Sequence, residues 1–271
     1  MLISIVSGLD ESISNKERII KKFSTLCHLL KSLDYDGIEL SLLEPEKIDI
    51  MQIREVIDSY QIRIPALGTG STYIRFGYSL GDNNEVNREK AIDRIYKYVD
   101  FASEIKSKVI IGLIRGRYKY DSSPKKEKSN IISSLKRCIV FAEDSGVELL
   151  FEPINRFEID SYNTIRESIE LIEEIGSENL TLLIDSFHTY LEEDPFFIWD
   201  DLKSICNKVG HIHLADSNRR APGSGHFDFK GFLNIFKKAG YNQFASIETI
   251  MKPSFEEVAK SSFEYLKLIL N

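Results

Sequence analysis

The residues best suited to chemistry lie in the second half of the chain. They are Glu152 in Glu152-Pro-Ile-Asn-Arg-Phe-Glu158, Asp185 in Asp185-Ser-Phe-His188, His211 and His213 ahead of Asp216-Ser-Asn-Arg219, and Glu248. Each stands at or near the end of a short apolar run. Three carboxylates and an imidazole suit one divalent ion, Mn2+, Mg2+, Co2+ or Zn2+. Without a cation, three clustered carboxylates would repel one another and raise each other's pKa. A lone acid at a strand end often only caps a helix or pairs with Lys or Arg, but four ionisable residues on consecutive strands favour a metal centre. His211 and His213 are two apart, so on a strand they face the same side, and spacing alone leaves open which one ligates. Other candidates have plainer readings. His28 lies in a helical stretch and reads as structural. His226, in Gly223-Ser-Gly-His226-Phe-Asp228, could reach the site from its loop. Asp228 reads as a helix N-cap, and Arg156 as the ion-pair partner of a neighbour.

These residues need a scaffold that brings them to one place. Eight β-rich runs recur: Leu2–Ser7, Gly37–Leu40, Ile64–Gly68, Val109–Leu113, Glu148–Glu152, Leu180–Asp185, His211–Ala215 and Phe244–Glu248. Most are apolar throughout, as in parallel strands covered on both faces. The segments between them carry helical periodicity, with stripes at Ala91, Ile92, Ile95, Val99, Ala102 and at Ile165, Ile169, Ile172. Thr164–Glu167 and Ser254–Glu257 fit capping boxes, and Gly176 and Gly240 fit left-handed helix ends. Eight strand–helix units predict an α/β fold, a single-domain (β/α)8 TIM barrel over residues 1–271. A doubly wound open sheet would show a glycine-rich phosphate turn after an early strand, and Gly68-Thr-Gly70 is too short to be one. Active sites of such barrels form at the C-terminal ends of the strands, where the acids and histidines stand. The polar stretch Tyr118–Lys128 reads as a rim loop that could act as a lid.

The bulk numbers narrow the partners. The 271 residues carry a net charge of -7, with pI about 5.4. No basic surplus attracts nucleic acid or an anionic membrane. No apolar run approaches the ~20 residues of a membrane span. The chain opens directly on a strand-like run without a charged leader, and Cys27, Cys138 and Cys206 show neither disulfide nor zinc spacing. The expectation is a cytoplasmic protein with buried, reduced thiols.

The runs Glu152–Glu158, Asp185–His188 and His211-Ile-His-Leu-Ala-Asp-Ser-Asn-Arg-Arg-Ala-Pro-Gly-Ser-Gly225 together resemble the ketose 3-epimerases. These are the D-tagatose/D-psicose 3-epimerase branch of the xylose-isomerase-like sugar isomerases and epimerases, and the resemblance covers essentially the whole chain. Gly68-Thr-Gly-Ser71 and Val109–Arg117 look closest to the subgroup that includes 5-keto-L-gluconate epimerase. The resemblance implies an enzyme of carbohydrate metabolism in which Glu152, Asp185, His213 and Glu248 hold one divalent ion, Mn2+ first among the candidates. His213 is preferred to His211 because it stands six residues before Arg219, the family spacing. Glu158, His188 and Arg219 would bind the oxygens of a small sugar or sugar-acid substrate. Glu152 and Glu248 would be the acid/base pair, since epimerisation beside a ketone removes a proton from one face of an enediolate and returns it to the other. The chain departs from the family in Thr189-Tyr-Leu-Glu-Glu193, where Met-Asn-Ile-Glu-Glu is expected, and in a first strand without aromatic residues. Both departures bear on which sugar is bound. Arg115 and Arg117 close the fourth strand, where one could bind an anionic substrate end, with solvated surface arginines as the alternative.

Several other functions use this scaffold. An aldose–ketose isomerase of the hydroxypyruvate isomerase kind, or an inosose dehydratase, would use nearly the same residues. An endonuclease-IV-like repair nuclease needs further histidines at strands 3 and 4, where this chain has Gly68 and Leu113, and it has five histidines in all. A sugar sensor without turnover has no use for two opposed bases. The resemblance leaves a homodimer or homotetramer open.

Overall fold

The computed structural model describes residues 1–9, 16–118, 123–195 and 198–270. Its strands are β1 (Leu2–Gly8), β2 (Gly37–Ser41), β3 (Ala66–Gly68), β4 (Lys108–Ile111), β5 (Leu149–Phe151), β6 (Leu180–Asp185), β7 (Val209–Leu214) and β8 (Phe244–Ile247). All pair in parallel in chain order, and β8 returns to β1, so the sheet closes into the expected barrel. The helices are α1 (Lys16–Ser32), α2 (Ile50–Tyr60), α3 (Gly70–Phe76), α4 (Glu85–Ile105), α5 (Pro124–Asp144), α6 (Ile165–Ile175), α7 (Ser186–Glu192), α8 (Ile198–Ile205), α9 (Phe229–Lys238) and α10 (Phe255–Leu270).

Strand alternation sorts the side chains. Ile3 and Ile5, Ile38 and Leu40, Val109 and Ile111, Leu149 and Phe151, and Leu182 and Ile184 join the core between sheet and helices. Ala66, Ile110, Leu150 and Leu183 form a separate apolar cluster on the opposite, inward faces. On the remaining strands buried polar side chains take inward positions: Ser4, Glu39, His211, His213 and Ser246. The predicted stripe Ala91, Ile92, Ile95, Val99, Ala102 is fully buried in α4. Each large apolar side chain so covered contributes about 1.5–3 kcal/mol. The Thr164–Glu167 capping box is complete. Of the second pair, Glu257 N–H donates to Ser254 Oγ at 3.2 Å. Gly176 and Gly240 have φ of +73° and +81°, as helix-ending glycines should.

Three boundaries differ from the sequence reading for local reasons. Pro65 and Pro153 lack the N–H that would extend β3 backward and β5 forward. After β4, Gly112 turns the chain into a 3-10 turn over Leu113–Arg115, so these residues do not continue the strand. In the polar stretch 118–128, Pro124 already begins α5, so Lys125–Lys128 are helical. Residues 119–122, the middle of the expected lid, lie outside the described residues. No helix among the described residues is long and apolar enough to cross a membrane. Cys27, Cys138 and Cys206 are free and buried, and burial pushes the Cys27 and Cys138 thiols up to about 12.

Candidate metal and substrate site

Strand register brings the sequence-predicted acids together. Asp185 pairs with His213, and His213 pairs with Ser246, so Glu248 stands on the same inward face two residues further on. Glu152 follows β5 directly, and its N–H donates to Ile111 O at 3.3 Å. Ligand atoms of Glu152, Asp185, His213 and Glu248 all lie within 4.8 Å of one another.

His213 is the centre of this group. Its Nε2 meets the Glu39 carboxylate at 3.0 and 3.2 Å. Its Nδ1 points the other way, 3.6 Å from Glu152 Oε1, 3.9 Å from Asp185 Oδ2 and 3.5 Å from Glu248 Oε2. Those gaps are too long for good hydrogen bonds, and Nδ1 is a buried atom without a hydrogen-bond partner among the described residues. They are shorter than twice a metal–ligand distance of about 2.1 Å, so a divalent ion fits where a hydrogen bond does not. The electrostatics agree. Burial alone would push the His213 pKa down, yet the Glu39, Glu248 and Glu152 carboxylates raise it well above its ordinary value. Burial likewise opposes the charge on Glu248, but Arg219 and His213 hold its pKa below the usual carboxylate range. The site attracts positive charge, and its donors can hold a metal ion.

Asp185 has two functions. Oδ1 caps α7, accepting from Phe187 N at 2.6 Å and His188 N at 3.3 Å, while Oδ2 faces the site. Arg219 spans Asp185 Oδ2 at 2.9 Å and Glu248 Oε2 at 2.6 Å, with its guanidinium over the Phe187 ring. Its backbone is left-handed, φ 60°, in a loop held by Asp216, whose carboxylate accepts from Ser217, Gly223 and Phe227 N–H. His188 is buried, with Nδ1 2.7 Å from Asn155 Nδ2 and Nε2 3.9 Å from Glu152 Oε1. Asn155 also donates to Glu158 Oε1 at 2.8 Å. Glu158, His188 and Arg219 therefore line the same cavity as Glu152, His213 and Glu248, a space of about 210 Å³.

Other sequence candidates fall elsewhere. Arg115 is neither a rim anion binder nor a solvated arginine. It is wholly buried, donates to Ile111 O at 3.0 Å and Glu152 O at 2.7 Å, and stacks on Phe151. Desolvation, only partly offset by Glu152, lowers its pKa to about 10. Arg117 turns outward to Phe157 O at 3.0 Å and lines a different cavity, with Tyr73 and Asp82. His226 is exposed and lines a groove with Thr189 and Tyr190, away from the acids. His28 lies on α1 with its ring edge toward Tyr60. Asp228 caps α9 and Arg156 pairs with Glu192, as their plainer readings expect.

Sequence reasoning passed over Glu39, Asn155, Asp216 and Gly112. Glu39 carried a usable signal, a lone carboxylate inside the apolar strand Gly37-Ile-Glu-Leu40. It is buried against two imidazoles, His211 Nε2 at 2.8 Å and His213 Nε2. Burial would raise its pKa, but His213 and His211 outweigh that and lower it to about 2. Gly112 makes room for Glu152, since a Cβ there would sit 2.6 Å from Glu152 Oε2.

A closed eight-stranded barrel with a metal-competent cluster at its C-terminal rim describes a class of proteins, and the comparisons name one. Residues 27–269 match the model of the xylose isomerase-like TIM barrel family, and the chain belongs to that family. It is 26% identical over 213 residues to an L-ribulose 3-epimerase of Methylomonas sp. (strain DH-1), covering 76% of this chain and 71% of that protein. It is 25% identical over 242 residues to the 3-dehydro-D-guloside 4-epimerase of Escherichia coli (strain K12), covering 86% of this chain and 87% of that one. A solved structure of an L-ribulose 3-epimerase superposes with a TM-score of 0.86 at 21% identity, over 100% of this chain and 95% of the other, which shows a shared fold.

Proposed function

We propose that the protein is a divalent-metal-dependent epimerase of a ketose or keto-sugar acid, working by proton removal next to the carbonyl through an enediolate. One observation carries the reading: His213 Nδ1, buried and unpartnered among the described residues, faces three carboxylates beside a small cavity. In this reading Glu152, Asp185, His213 and Glu248 hold one cation, Mn2+ by preference. When bound, the cation supplies Lewis acidity at the substrate oxygens, worth several kcal/mol to the developing negative charge.

The protein's own groups do the rest. Glu152 and Glu248 follow β5 and β8, three strands apart in the closed sheet. Their carboxylates can approach a sugar from different sides, so one removes the carbon-bound proton and the other delivers a proton to the opposite face. Proton transfer by a positioned carboxylate contributes about 10²–10⁴-fold. Arg219, held between Asp185 and Glu248, donates charge-assisted hydrogen bonds to the oxygen that gains charge. His188 turns Nε2 toward the cavity because Asn155 occupies Nδ1, and Glu158 accepts from a sugar hydroxyl. A cavity of about 210 Å³ is smaller than the ~300–1,000 Å³ usual for drug-sized ligands, which supports a small sugar. The relatives that epimerise at carbon 3 and at carbon 4 support the reaction type, since both steps are the same chemistry beside different carbonyls.

The test is deuterium exchange. Protein with Mn2+ is incubated in D2O with a panel of ketoses, keto-acids and ketose phosphates, the metal is removed, and the label is located by NMR. Exchange next to the carbonyl that is lost with EDTA and in Glu248→Gln is expected, and the labelled position separates epimerase from isomerase. A metal-loaded protein that exchanges no proton in any of these substrates would sink the assignment.

A further inference from the structure

We propose that Glu39 is a positioning residue of the metal centre, fixing His213 in the tautomer and orientation that leave Nδ1 to ligate; this rests on the metal reading above. Glu39 lies on β2, outside the four strands that supply the donor cluster, and is almost wholly buried. An acid inside a barrel is costly unless its oxygens are matched. Four neighbouring inward positions avoid that cost with Ala66, Ile110, Leu150 and Leu183. Glu39 spends both oxygens on imidazoles: Oε1 meets His213 Nε2 at 3.0 Å and Oε2 meets His211 Nε2 at 2.8 Å.

The carboxylate is itself held. His211 Nε2 also meets Ser246 Oγ at 2.9 Å, and Ser246 Oγ meets Ser4 Oγ at 2.6 Å. The result is a hydrogen-bonded chain of buried groups from β1, β8, β7 and β2, ending on the far side of the His213 ring. A carboxylate accepts only, so it keeps a proton on Nε2, and the neutral ring, the form that ligates a cation, then carries its lone pair on Nδ1, the nitrogen that faces Glu152, Asp185 and Glu248. Glu39, His211 and His213 also form a cluster of potential metal ligands in their own right. Its carboxylate oxygens are already taken by the two imidazoles, whereas the unpartnered nitrogen is on the other side of His213.

The experiment compares Mn2+ binding by calorimetry in the wild type, Glu39→Gln and His213→Gln, with the melting temperature of each metal-free protein as the check on folding. Glu39→Gln should still bind one Mn2+, about 10–100-fold more weakly, the usual loss for such supporting carboxylates. Wild-type affinity in Glu39→Gln together with lost binding in His213→Gln would overturn the role of Glu39 and leave the metal site standing. Undiminished binding in His213→Gln would overturn the site itself. Should Glu39→Gln fail to fold, ¹⁵N-histidine NMR of the Mg2+-loaded wild type decides: the proton of His213 belongs on Nε2, and finding it on Nδ1 overturns the proposal.

Discussion

The two halves of the barrel solve opposite problems. The rim of β5–β8 crowds Glu152, Asp185, His213 and Glu248 within 4.8 Å. The rim of β1–β4 lines the same cavity with the small residues Ser41, Gly68, Gly70 and Gly112, beside the Glu39 carboxylate and the apolar Val6 and Leu113. Charges that close together stay folded only when each is held, and here Arg219, the α7 amides and Glu39 hold them. Space beside them exists only where side chains are missing. A catalytic rim therefore needs residues selected for what they lack as much as for what they carry.

The comparison is sharpest at Gly112 and Gly68, both small residues beside the cavity. A Cβ on Gly112 would stand 2.6 Å from Glu152 Oε2, and one on Gly68 would meet its nearest atoms at 3.7 Å. Glu152 is a flexible side chain, so Gly112→Ala should displace the carboxylate rather than unfold the barrel. A displacement of about 1 Å at a reacting group costs on the order of 10²-fold. We expect kcat/KM to fall by about that factor in Gly112→Ala, with Mn2+ affinity falling too. Gly68→Ala should leave Mn2+ affinity at the wild-type value. Equal Mn2+ affinities in the two variants would mean that the charged half does not depend on the space Gly112 leaves for Glu152.

Much of this organisation is legible in the sequence because it follows local periods. Short, mostly apolar runs gave all eight strands, the 3.6-residue period gave the stripes on α4 and α6, and the acids could be read because they end apolar runs. Strand ends slipped where a single Pro or Gly interrupts the ladder, as at Pro65, Pro153 and Gly112. Partners across the barrel carry no local signal. Glu39 and His213 are 174 residues apart, and neither run announces the other. Arg115 failed for the same reason: a cation at a strand end reads as rim, but the 3-10 turn folds it under Glu152, whose carbonyl it binds at 2.7 Å.

Asp216 probes the support of the charged half without touching the acids. Burial raises its pKa, but the amides of Phe227, Ser217, Gly225 and Gly223 outweigh that and lower it. A group with a depressed folded pKa stabilises the fold above its unfolded value of about 3.9, and that contribution disappears as pH falls through the lower folded value. Asp216→Asn should therefore cost about 1–3 kcal/mol in urea unfolding at pH 7. The gap to the wild type should narrow progressively below pH ~4. A gap that stays constant down to pH 2 would mean that the amide bonds, not the charge, supply the stability. Turnover should fall less than in Gly112→Ala, because Arg219 keeps its own pairing to Asp185 and Glu248.

The smallest effect is expected at Arg117, on the spacious side. Its side chain is half-exposed, donates to Phe157 O at 3.0 Å and lies 3.6 Å from Asp160. The cavity it borders is separate from the one lined by Glu152 and His213. Exposed pairs of this kind contribute about 0–1 kcal/mol, so Arg117→Ala should unfold within that margin of the wild type. More tellingly, KM for a keto-acid and for its neutral keto-sugar counterpart should change in step, because this guanidinium borders a cavity other than the one the acids line. A tenfold rise in KM confined to the anionic substrate would return Arg117 to the site and extend its positive charge from Arg219 on the β7 side to β4, erasing the asymmetry between the halves.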